Sequence, residues 1–382
     1  MFDKNNLRNI DFFLIFLVSA LVFIGIVMIG SANGWTLDKE NFYLDTLMLK
    51  QMLGYGLGLV LIFLILLLNY DALKLLIVPA YIATTLLLAV TLVIGVGSES
   101  DGDDVRRWIQ LFGGFTLQPS EFAKITLILF MAWYLDMYQD RINHFLILLL
   151  LGVVFLIPLF LIYKEPDLST SIVFLAIFCF MLFNAKVGWR YVIPVLIIGI
   201  FLVVIVYKDA MSETPTILNY YQAIRIKAWR NPSEYALSEA YQTIQSTNAI
   251  SSGGLLGVGL FNSSGTVPVA TTDFIFGIIG EELGFVGAMA VIILLLMIFV
   301  RIMMIARRAR DMYGYLICVG VGVSLIIQSA IHIGVCTGAF PNTGIPLPFV
   351  SYGLSSLISS MIGIGLVLKV RSESMLDQQE IR

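Results

Sequence analysis

The chain has 382 residues, 59% of them hydrophobic and only 13% charged, with a mean hydropathy of +0.92. A soluble domain is about 45–50% apolar and about 25% charged. This chain therefore lacks the charge to clothe a water-facing surface of its size. A soluble enzyme, a disordered chain and a disulfide scaffold are excluded, which leaves an all-α polytopic membrane protein. The net charge of −3 offers no basic footprint for nucleic acid.

Ten stretches approach the ~20 apolar residues that cross a bilayer. They lie near 11–32, 48–68, 74–97, 119–135, 144–163, 168–184, 191–208, 273–304, 313–337 and 351–370. The first is too long for a secretory h-region and is followed by more spans, so it reads as an uncleaved transmembrane helix. At Lys164-Glu165-Pro166-Asp167 two short spans or one long bent region fit equally. A single domain over 1–382 is expected.

Lys and Arg set the orientation. With the N-terminus inside, 13 of the 23 fall on the inner side, and Arg307-Arg308-Ala309-Arg310 is the strongest marker. Both termini are expected in the cytoplasm. The acidic residues show the opposite skew: Glu99, Asp101, Asp103, Asp104, Glu121, Glu165, Asp167 and Asp273 all fall outside or at the outer boundary. The polar chemistry is expected on the outer face. That face also carries one large loop, about 209–272. In it Tyr220, Tyr221 and Trp229 alternate with Arg225, Lys227 and Arg230. Such a pattern predicts an interfacial helix, ended by Asn231-Pro232. A second helix is expected over about 234–250.

Charges within reach of a membrane are costly and each needs a partner or a purpose. In Gln118-Pro119-Ser120-Glu121-Phe122-Ala123-Lys124, Pro119 suits the first turn of a helix, and Glu121 and Lys124 are i, i+3 on one face. Spacing favours a structural ion pair; a polar cavity holding a substrate headgroup is the sharper reading. Arg106-Arg107-Trp108 suits either phosphate or the interface. The run Asp101, Asp103, Asp104 reads as a solvated loop. It could offer oxygens to a divalent cation (Mg2+ or Mn2+), but no ligand spacing specifies such a site. Cys179, Cys318 and Cys336 form no CxxC or Cys/His metal spacing. With two histidines, His144 and His332, a His-rich metal site is excluded.

Asp273 is the most informative residue. It suits an N-cap before an apolar helix. At ~100° per residue, Gly277, Gly280, Gly284 and Gly287 fall within about 40° of it. A stripe without side chains either seats a neighbouring helix or leaves a cavity beneath the acid. Glu281 lies near the stripe's edge and Glu282 on the opposite side, so the two cannot share one role. The apolar neighbours Phe274 and Phe276 are expected to raise the Asp273 pKa by desolvation, as a general base requires. No Ser or Cys has a His partner on the outer face, so nucleophilic catalysis is unsupported. The prolines of 341–348 and the small polar residues that follow read as a rigid re-entrant turn or as a cavity wall.

In order, RRWI, QPSEFAK, EPDLSTS, YQTIQSTNAISSGGLLGVGL, TDFIFGIIGEELGF and LPFVSYGLSS resemble segments of the SEDS family (RodA, FtsW and SpoVE), the RodA type slightly favoured. One segment alone is weak; six in order are specific. The resemblance implies a peptidoglycan glycosyltransferase that polymerises lipid II at the outer face of the bacterial cytoplasmic membrane and works with a class B penicillin-binding protein. It places the family's essential aspartate on Asp273. Substrate contacts are implied at Arg106, Glu121, Lys124, Asp167, Gln245, Glu281 and Ser351, and the leaving diphosphate would meet Arg106, Lys124 or a divalent cation. The chain departs from the family at 267–272, which lacks the usual Pro-Glu and His, at Leu354 where a second glycine is usual, and at Ser169 where glycine is common. A lipid flippase or a scaffold that only recruits a synthase are the rival readings.

Overall fold

The computed structural model describes residues 10–34, 45–97, 106–110 and 115–380. The acidic run at 101–104 lies outside them. Twelve helices follow in chain order: α1 (Phe12–Ala32), α2 (Thr46–Leu67), α3 (Tyr70–Ile94), α4 (Pro119–Met137), α5 (Phe145–Lys164), α6 (Leu168–Asn184), α7 (Trp189–Met211), α8 (Tyr220–Arg230), α9 (Tyr241–Ser252), α10 (Ile275–Ala306), α11 (Met312–Cys336) and α12 (Leu354–Glu380). Eight are long and apolar enough to cross a membrane. The other two expected spans are the short apolar α6 and α4, whose first two turns carry the charges of Glu121 and Lys124. The chain is a multi-pass membrane protein, and the expectation of about ten spans agrees with these helices.

α11 and α12 form the buried centre, packed by α2, α4, α6 and α10. α7 is almost wholly exposed and touches α6 and α8. The outward side chains of the peripheral helices are apolar: Phe16 and Phe23 on α1, Leu75 on α3, Phe201 and Val203 on α7. That is the inverse of a soluble surface and suits lipid.

The 209–272 loop lies at one end of the bundle, here called the loop end. α8 forms where expected. It opens with a capping box from Asn219 and Gln222 and ends at Asn231. The second loop helix begins at Tyr241 instead of Glu234, because 231–240 runs as successive turns. A short hairpin, β1 (Ile109–Gln110) with β2 (Thr116–Leu117), was not expected. At the opposite end Asp11 caps α1 through Leu14 N and pairs with Arg301 at 2.8 Å and with Arg371. It thus ties α1, α10 and α12 together.

Candidate active site

At the loop end a cavity of about 320 Å³ is lined by Arg107, Trp108, Gln118, Glu121, Asp167, Thr170, Asp273, Gly344, Ile345, Pro346 and Tyr352, among others. Acidic residues from three separate segments therefore meet in one hollow.

Asp273 stands in a turn, not at a helix cap. Its N–H donates to Val269 O at 3.2 Å, and α10 starts two residues later with Phe274 as N-cap. The turn is held by its carbonyls. Ser351 Oγ donates to Thr272 O at 2.6 Å, Tyr352 N to Thr271 O at 2.8 Å and Cys336 Sγ to Asp273 O at 3.7 Å. Across the cavity wall, Gly344 has φ +68, and a Cβ there would lie 3.4 Å from Asp273 Oδ2 and 3.9 Å from Arg225 Nη1. Glycine is required by the dihedral and leaves room beside the carboxylate. Arg225, read from sequence only as an interfacial cation, is thereby brought to the Asp273 side of the cavity. Its guanidinium also stacks on Tyr221 at 4.1 Å.

The glycine stripe of α10 does not underlie the cavity. A Cβ on Gly277 would lie 2.6 Å from Ser246 Oγ, and one on Gly280 2.8 Å from Ile250. The stripe seats α9, the first of its two sequence readings.

Glu121 reaches the cavity; Lys124 does not. Lys124 Nζ lies 2.9 Å from both Glu121 oxygens and 2.7 Å from Gln328 Oε1. Ser359 Oγ donates to Glu121 Oε2 at 2.9 Å. Gln328 Nε2 donates onward to Pro346 O at 3.1 Å. The pair is buried and its charges are matched, as a low-dielectric site requires.

Asp167 caps α6, accepting from Thr170 N at 3.0 Å and Thr170 Oγ at 2.7 Å. Ser169 Oγ donates to Thr343 O at 2.7 Å, which fastens α6 to the cavity wall. Behind them Glu165 is fully buried and neither carboxylate oxygen has a hydrogen-bond partner. Burial, reinforced by the Asp167 charge and opposed by Arg107, pushes its carboxyl up to about 9, so it carries a proton at neutral pH.

Five residues expected at the substrate lie off the cavity wall, Lys124 above and four more. Arg106 is exposed and caps α3, donating to Val93 O at 2.8 Å. Arg107 is the arginine turned inward, with Nε to Glu165 O at 3.1 Å and Nη2 to Pro166 O at 2.6 Å. The backbone here is extended, with Trp108 bridged to Val96, and successive side chains of an extended chain point to opposite sides. Gln245 sits half-buried on α9, while Gln242 of the same helix reaches the wall loop by accepting from Asn342 Nδ2 at 2.8 Å. Glu281 turns away to accept from Ser264 N at 2.9 Å, and Glu282 accepts from Phe261 N at 3.1 Å and from Ser31 Oγ. Both glutamates thus accept from backbone N–H groups of the 261–264 stretch, and Glu282 also reaches α1 through Ser31. Ser351 acts on the backbone of the Asp273 turn, as above. Among the described residues no group of three or more His, Cys, Asp or Glu side chains gathers as a metal site.

A family model described as cell cycle protein, for FtsW, RodA and SpoVE, matches residues 12–376. A protein of Trichlorobacter lovleyi named "Probable peptidoglycan glycosyltransferase FtsW" is 35% identical over 374 residues, covering 95% of this chain and 93% of its own. Stage V sporulation protein E of Bacillus subtilis is 35% identical over 372 residues, covering 94% and 96%. A solved structure described as the structural coordination of polymerization and crosslinking by a peptidoglycan synthase complex superposes with a TM-score of 0.79 at 30% identity, covering 96% and 98%. The rod shape determining protein RodA of Thermus thermophilus gives 0.68 at 29% identity, covering 95% and 96%. These relatives span all three named branches and do not single out the RodA type. Motif order, bundle and whole-length likeness agree, and the chain belongs to the SEDS family of FtsW, RodA and SpoVE proteins.

Proposed function

We propose that the chain is a peptidoglycan glycosyltransferase that polymerises lipid II, with the loop end at the outer face of the bacterial cytoplasmic membrane and both termini inside. The observation that carries this is the placing of Asp273 in one hollow with Arg107, Glu121 and Asp167. The names of its relatives point the same way.

In this reading Asp273 takes the proton of the acceptor's GlcNAc 4-hydroxyl. The oxygen bonds to C1 of the donor's MurNAc with inversion. The C1–oxygen bond to the diphosphate breaks, and its electron pair leaves on undecaprenyl diphosphate. Arg107, which lines the cavity, takes the role expected of Arg106, and Arg225 lies close by, beside Gly344. Lys124 is spent on Glu121 and Gln328 and serves by holding Glu121 in the wall. A divalent cation would supply further charge to the diphosphate; a chelator arm in the assay tests that. A class B penicillin-binding protein is the proposed partner, which would cross-link the strands.

The test is polymerisation of lipid II by purified protein in vesicles. Asp273→Asn is expected to lower the rate by at least ~10²-fold, as loss of a general base does, with unchanged thermal unfolding. Undiminished polymer would remove the base assignment. Lipid II crossing the bilayer without polymer, equally by wild type and variant, would favour a flippase. No activity from either except as a recruiter of a partner synthase would favour a scaffold.

A further inference from the structure

α10 does not run unbroken. At Gly284 the backbone takes φ 64 and ψ −165, which frees main-chain groups on both sides. All four of those that face the 253–260 segment are met by it. Phe285 N donates to Gly254 O at 2.9 Å and Val286 N to Leu255 O at 3.1 Å; Val258 N donates to Glu281 O at 2.9 Å and Gly259 N to Glu282 O at 3.1 Å. The approach is as close as backbone allows: a Cβ on Gly257 would lie 2.0 Å from Glu282 O, and one on Gly253 2.0 Å from Gly280 O. Glu281 and Glu282 pin the far end through Ser264 N and Phe261 N.

Depth follows from length. Beyond the break, residues 285–306 of α10 number 22, about 33 Å at ~1.5 Å per residue, against a hydrocarbon core of ~30 Å. Counting from the polar border at Arg307, residues 287–306 alone supply the ~20 residues of a span. The break and the segment bound to it therefore lie at the loop-side border of the hydrocarbon. Irregular backbone at that depth needs its polar groups met by protein, and the groups of 254, 255, 258 and 259 that face α10 are met by it. The segment's side chains fit that depth. Residues 253–261 include no charged or polar side chain. Leu255 and Leu256 are 72% and 79% exposed, and Phe285 and Val286 continue the patch at 60% and 56%. This patch is continuous with the outward apolar face of α10 at Ile293, Leu296 and Val300.

We infer that 253–260 is a re-entrant segment whose Leu255 and Leu256 sit among the acyl chains of the loop-side leaflet. The assignment stands apart from the catalytic reading. Its test uses Leu256→Cys, and separately Leu255→Cys, carrying an environment-sensitive NBD label. The background is Cys179→Ala, since Cys318 and Cys336 are buried. The whole protein is placed in phosphatidylcholine vesicles. Both labels are expected to emit to the blue of the same label at exposed Thr266→Cys, to be quenched by lipids spin-labelled near the headgroup, and to resist aqueous iodide. Quenching by iodide with none by lipid at both positions would overturn the inference. So would shielding that appears only on adding undecaprenyl diphosphate or a partner protein, because the occupant would then not be bulk lipid.

Discussion

Arg106 and Arg107 are adjacent, yet one caps a helix in the open and the other lines the cavity. The doublet in the sequence holds no sign of which is which; the alternation of an extended backbone decides it. Arg107→Ala is expected to slow lipid II polymerisation about tenfold or more, in line with a lost charged hydrogen-bond donor. Arg106→Ala should stay within about twofold, in the same assay. Glu165 was legible only as a polar group at a helix break. Its burial depends on how α5 and α6 meet and on Arg107 lying across them. Its raised pKa has a consequence for stability. The folded chain keeps a proton that the unfolded chain releases, so stability falls as pH rises from about 4.5 towards about 9. Glu165→Gln should remove this slope. Thermal unfolding in detergent is then expected to favour the variant at pH 8 and to show little difference near pH 4.

Among the elements, the spans were legible because a bilayer demands long apolar runs, and α8 because its cap and its Asn-Pro stop are local signals. The β1–β2 hairpin is too short to leave a pattern. The wheel through Asp273 and the glycines assumed a regular helix, and α10 is not regular at Gly284. What a bare stripe packs against is a long-range fact, here α9 and the 253–260 segment. Gly284→Ala meets both a positive φ and a backbone nitrogen at 2.3 Å, so a loss of at least ~1–3 kcal/mol is expected from the dihedral alone. Gly152→Ala in α5 has open space around it and should be neutral or stabilising by up to ~1 kcal/mol. Thermal unfolding of the two variants side by side checks the contrast.

At the scale of the whole molecule, the Glu121–Lys124 pair joins α4 to α11 through Gln328 and to α12 through Ser359. Sequence spacing revealed the pair, and only the assembled bundle reveals the glutamine that completes it. Glu121→Gln or Lys124→Met alone would strand a buried charge and cost ~3–5 kcal/mol. The double variant should recover much of that stability. It should not recover polymerisation, because Glu121 faces the cavity. A double-mutant cycle read by unfolding and by activity separates the two effects. The turn before α10 is grasped in a different way, through the main-chain oxygens of Thr271, Thr272 and Asp273 by partners from α11 and from 351–352. A grip on peptide oxygens is blind to side-chain identity. The turn is therefore held without reference to the side chains of the stretch leading to the acid, and the carboxylate keeps its address whatever they are.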